Sequence, residues 1–187
     1  MLTPAQGAQF DQFRAQTTAA IRRWGCMVQY VSNEIECPCC KAEGLDRAAR
    51  RARRGDKRRG GAPMPAFAYT IGLHGIGHPE LLVFGLGSEP ARALLTRLAH
   101  EVRDHGVQLV AGEVIPRDRA LDRPLLVESL PNPGDILVQA NDYYRRPSEG
   151  SVDAVQLSWC DPLGRWPGDP ACLAPAATQP RPGSFRA

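Results

Sequence analysis

The chain has 187 residues, 43% hydrophobic and 23% charged, with a formal net charge of +3. That length suits one domain with appendages, and the apolar share is enough to build a core. No stretch approaches the roughly 18–20 apolar residues of a membrane span, and Met1–Gln6 lacks the basic and apolar regions of a secretion signal, so a cytoplasmic protein without membrane contact is expected.

Thr3-Pro4-Ala5-Gln6 predicts a helix start. Thr suits the N-cap, Pro the first helical position, and Gln at N3 can close a capping box. Phe10, Phe13, Ile21 and Trp24 then form a loose helical stripe, and Gly25 is a natural stop. Met27–Ile35 reads as a strand with Val28, Tyr30 and Val31 as its apolar content.

Residues 37–62 break the pattern and read as an insertion between two strands. Within 41–61 there are nine basic and three acidic side chains, a net of +6 that leaves the rest of the chain at −3. An anionic or protein partner would therefore be met through Arg47–Arg59. That run holds no aromatic residue, so any nucleic-acid contact would be to phosphate. A solvated basic helix is the plainer reading of the same residues.

Six cysteines occur, at 26, 37, 39, 40, 160 and 172. A secreted disulfide scaffold would be shorter, so thiols or a metal are expected. Cys37 and Cys40 have C-x-x-C spacing with Cys39 between them, which makes the three candidate zinc ligands. The same spacing suits a redox dithiol, or simply loop thiols. No second C-x-x-C exists to complete a four-ligand site.

Regular structure resumes at 66–73, where Phe67, Tyr69, Ile71 and Leu73 alternate with small residues as in a strand. A turn-rich connector leads to Leu81–Phe84, an apolar run that suits a central strand. Ser88 is placed to cap a second helix over 89–105, whose Ala91, Leu94, Leu95, Leu98 and Val102 share one face. Gly106 ends it. Strands are expected at 107–115, 125–130 and 152–159, with a short helix or loop near Asn141–Arg146. From Pro162 the chain holds six prolines and three glycines in 26 residues, so 171–187 is expected to be a disordered tail. The fold class is α+β: a mixed or antiparallel sheet packed by two main helices, about 4–24 and 89–105, in a single domain over 1–170.

Two stretches combine polar side chains with strands. Pro79 stiffens the corner at His78-Pro79-Glu80, where a His and a carboxylate could act as an acid/base pair or as ligands, with His74 four residues earlier. The same pair could instead pin the corner through backbone hydrogen bonds. Trp159 and Asp161 close the last strand and could wall and anchor a pocket. The expectation is that His78, Glu80, Trp159 and Asp161 converge on one concavity, with Tyr69, Thr70 and His74 nearby. No P-loop, G-x-S-x-G or H-E-x-x-H motif is present.

Tyr69–Leu73, Gly77–Leu86, Val155–Pro167 and Arg23-Trp24-Gly25 carry a family likeness. On these motifs the chain resembles the bacterial domain-of-unknown-function family 4262 over roughly residues 20–170. The resemblance implies an α+β fold and no settled activity. Against it, the 37–62 insertion is longer and richer in cysteine, and Cys160 stands where the family more usually has proline. A binding or interaction module is the first functional expectation. A small-molecule enzyme or flavin-binding domain of split-barrel type is the alternative.

Overall fold

The computed structural model describes residues 4–32, 65–118, 123–144, 150–173 and 178–186. Helix α1 spans Pro4–Trp24 and turns into strand β1, Met27–Val31, at Gly25. Strand β2 (Phe67–Ile71) leads through a 3-10 turn at His74–Ile76 into β3 (Glu80–Phe84). Helix α2 covers Ser88–His105. Strands β4 (Val114–Asp118) and β5 (Arg123–Ser129), helix α3 (Val138–Tyr144) and β6 (Ala154–Trp159) complete the order.

The six strands form one mixed sheet in the order β1-β2-β3-β6-β5-β4. Only β3 and β6 pair in parallel, with Glu80 opposite Ala154 and Val83 opposite Leu157. In β1 and β2, Val31 lies opposite Phe67, so both ends of the intervening segment leave the sheet side by side. The cysteines at 37, 39 and 40 and the basic run Arg47–Arg59 lie in that segment, outside the described residues, as does the predicted Thr3 cap.

Each face of the sheet carries a core. On one, Ala91, Leu94, Leu95, Leu98 and Val102 of α2 pack on Leu81, Val83, Leu125, Val127 and Leu157. Helical spacing puts the five on one stripe, and each buried Leu or Val among them contributes about 1.5–3 kcal/mol. On the other, Phe13 and Ile21 of α1 and Tyr143 and Tyr144 of α3 pack on Phe67, Tyr69, Ile71, Leu82 and Phe84. Among the described residues no helix is long and apolar enough to cross a membrane.

Several expectations need correction. Residues 107–113 are not a strand; β4 begins at Val114, because the chain first turns at Ala111–Gly112. Gly87, not Ser88, holds the N-cap of α2, and no side chain caps it. At the other end Gly106 takes the left-handed conformation (φ 67°), so its N–H reaches the carbonyls of Glu101 and Val102. Trp24 is 52% exposed rather than part of the apolar stripe, with the Arg23 guanidinium 4.6 Å from its ring centre. Of the stretch expected to form a disordered tail, residues 171–173 and 178–186 are among those described. Gln179 and Pro180 are buried and hydrogen-bond Trp159 and Gln156, and Phe185 packs on Phe67 and Phe84.

Candidate functional site

Glu80 opens β3 with its carboxylate fully buried. Thr70 Oγ1 donates to Glu80 Oε2 at 2.6 Å and accepts the Leu81 N–H at 2.9 Å. Glu80 Oε1 accepts the N–H groups of Gly72 at 2.9 Å and His74 at 3.0 Å. These bonds stand in for the ladder where β2 and β3 part beyond the Tyr69–Leu82 pair. Burial pushes the Glu80 carboxyl above its usual range, while the Thr70 hydroxyl and the N–H groups of His74, Gly72 and Leu73 pull it down.

The ring of Tyr144 meets His74 edge-on at 4.8 Å, and its hydroxyl accepts the Gly75 N–H at 3.3 Å. Burial, then the Glu80 charge, raises the Tyr144 phenol. The Tyr69 hydroxyl accepts the Gln139 N–H at the start of α3, and burial pushes that phenol up to about 12. Cys26 is buried nearby; burial, then Glu80, pushes its thiol up to about 11.

His78 is 2% exposed. Its Nδ1 lies 2.7 Å from the carbonyl of Pro79, which can only accept, so Nδ1 carries the proton. Nε2 is then free to accept the N–H of Leu109 at 3.1 Å. Burial lowers the His78 pKa, and the Pro79 carbonyl pulls it back up. With both nitrogens engaged the neutral ring has no lone pair left for a metal and no mobile proton for a substrate. At the His-Pro-Glu corner both side chains hydrogen-bond backbone groups, and Glu80 also accepts from the Thr70 hydroxyl.

Trp159 and Asp161 lie elsewhere. Because β3 and β6 are parallel and Glu80 faces Ala154, Trp159 sits five residues further along, roughly 16 Å at about 3.3 Å per residue. The expected convergence of His78 and Glu80 with Trp159 and Asp161 therefore does not occur. Trp159 Nε1 donates to the Phe84 carbonyl at 2.9 Å. Asp161 Oδ1 accepts the N–H groups of Leu163 and Arg165, and Oδ2 accepts the Leu173 N–H and Arg165 Nε. Burial opposes ionisation of Asp161, but these donors outweigh it and hold the carboxyl well below its usual range. What the structure does bring together from the sequence candidates is Thr70, His74 and Glu80.

One concavity was not singled out by the sequence, and Leu109, which His78 holds, lines it. A groove of about 510 Å³ runs between α2 and β4. Leu98 and the His78-held Leu109 are its buried part, with Val107, Val114 and Ile115 alongside. Arg97, Glu101 and Glu113 supply its charges, and the N–H of Val110 binds the Glu113 carboxylate at 3.2 Å. The legible signal was Val107, Val110 and Val114, apolar residues spaced around a turn and left exposed. Among the described residues no three His, Cys, Asp or Glu side chains gather as metal ligands, and Cys26, Cys160 and Cys172 are free thiols.

The open mixed sheet, with α2 on one face and α1 and α3 on the other, makes this an α+β domain with a buried polar corner beside an open groove. Residues 20–173 match the family described as a domain of unknown function (DUF4262), and the chain belongs to that family. No curated protein and no solved structure matches it.

Proposed function

We propose that the chain is a polypeptide-binding module whose site is the groove between α2 and β4. The observation that carries this reading is the Leu109–His78 bond, because it ties the groove to the corner whose Glu80 carboxylate is held by three hydrogen bonds. A site held in this way is preorganised, which lowers the entropic cost of binding. Val114 is 53% exposed and Val107 and Val110 are exposed beside it, an apolar rim of the kind that marks interaction surfaces. Two carboxylates, Glu101 and Glu113, stand with one guanidinium, Arg97, so an apolar segment bearing a basic side chain is the best complement. β4 is an edge strand interrupted by Pro116, which limits strand addition and favours docking of side chains into the groove.

The test is selection of a displayed peptide library on the full chain, with Val114→Asp as the counter-target. Peptides rich in apolar and basic residues, weakened at least about tenfold on the variant, support the reading. Peptides that bind both proteins equally, or no enrichment at all, contradict it.

A further inference from the structure

The C-terminal segment crosses the sheet away from α2 and forms no regular element of its own. Its contacts combine side chains with the carbonyls of Pro180 and Phe185. The amide of Gln179 pairs with both backbone groups of Trp159: Oε1 accepts the N–H at 3.0 Å and Nε2 donates to the carbonyl at 2.9 Å. Gln156 Nε2 donates to the Pro180 carbonyl at 2.8 Å. Arg181 reaches Glu128 at 2.8 Å and the Pro167 carbonyl at 2.8 Å, and Ser158 donates to the same Glu128 carboxylate. Phe185 enters a slot between Phe67 and Phe84, with ring centres at 5.7 and 5.2 Å, and its carbonyl accepts from Asn132 Nδ2 at 2.8 Å. Arg186 pairs with Asp135.

We propose that this face is a peptide-recognition groove, occupied in cis by residues 178–186, which in trans takes a segment of the same chemistry: a glutamine, an arginine two residues on, and a phenylalanine four beyond that. Three observations favour a bound peptide over ordinary packing. The groove residues Phe67, Phe84, Glu128, Gln156 and Ser158 all fall inside the family match at 20–173, while the occupant falls outside it. Gly85, at φ +74°, lets the backbone of Thr178 come within 2.8 Å of where a Cβ would stand, the close approach that glycine permits. Finally, Gln156 is 2% exposed and its Oε1 is buried without a partner. The adjacent Pro180 has no N–H to offer, so the cis segment satisfies only half of that amide. A segment with an N–H at that place can do better and displace it.

The test uses the full chain carrying Arg181→Glu and Phe185→Ala, which removes the ionic and aromatic anchors from the cis segment. A fluorescein-labelled peptide of residues 178–186 is titrated and its anisotropy followed. The released variant should bind at least about tenfold more tightly than the unaltered chain, whose own segment competes at the effective concentration of a tether. Adding Glu128→Arg should abolish binding, and the peptide bearing Arg181→Glu should restore it. A released variant that melts cooperatively and binds no peptide overturns the proposal, as does binding indifferent to Glu128→Arg. Arg181→Glu alone serves as the milder variant. Loss of a cooperative melt in both variants also overturns the proposal, since the segment is then part of the core. None of these residues lines the groove between α2 and β4, so the outcome is independent of the function proposed above.

Discussion

The Nε2 atom of His78 accepts the backbone N–H of Leu109 at 3.1 Å, which ties the start of β3 to the loop that follows α2. His78→Leu leaves that N–H buried and unpaired, and should cost about 1–3 kcal/mol in urea denaturation at neutral pH. The variant should also change the pH profile. Burial sets the folded His78 pKa below its unfolded value, so the native state favours the neutral ring. The resulting stability is present above roughly pH 6.5 and is lost as pH falls through the folded pKa. Denaturation curves between neutral and mildly acidic pH should slope in the unaltered chain and flatten in His78→Leu. Equal slopes would show that His78 does not titrate as its burial requires.

Glu80 works in the opposite direction. Its folded pKa is raised by burial, so its stabilising effect is complete below the unfolded value of roughly 4.5 and declines as pH rises through the folded pKa. Glu80→Gln keeps an oxygen for the Gly72 and His74 N–H groups while removing the charge. Its stability should therefore vary less than that of the unaltered chain over the weakly acidic range. A variant that follows the unaltered profile would contradict this account of the carboxylate.

The segment between β1 and β2 leaves and rejoins the sheet at paired positions, Val31 and Phe67. A short turn can join such ends. Deleting residues 42–62 should leave a cooperative thermal transition with its midpoint within a few degrees of the full chain, measured by calorimetry. A broad, non-cooperative melt would mean that the segment belongs to the core.

The thiols of Cys37, Cys39 and Cys40 can be tested without structural assumptions. A zinc site there should co-purify with about one ion per chain, and Cys37→Ser with Cys40→Ser should remove it. Metal-free protein whose thiols all react freely with a thiol reagent excludes the site.

The elements with strong periodicity were legible. Helix α2 could be placed from Ala91, Leu94, Leu95, Leu98 and Val102, and β3 from its apolar run, because burial on one stripe or on both faces dictates those patterns. Hydrogen bonding across the fold was not legible. Nothing local links His78 to Leu109, or Gln179 to Trp159; each pair meets only after the sheet has formed. The convergence expected for His78 and Trp159 failed for the same reason, since the parallel pairing of β3 with β6 joins residues more than seventy positions apart. Prolines and glycines after Pro162 resemble disorder in composition, and the contacts that Gln179 and Phe185 make join residues too far apart in the chain to be read from it.

Titrating a library-selected peptide into the isotopically labelled full chain, with the backbone amide resonances followed, tests the groove between α2 and β4 as the binding site. Shifts should concentrate on Leu98, Glu101, Leu109 and Ile115, and Val114→Asp should suppress them. Shifts confined instead to Phe67, Gln156 and Phe185, on the face beneath the C-terminal segment, would contradict it.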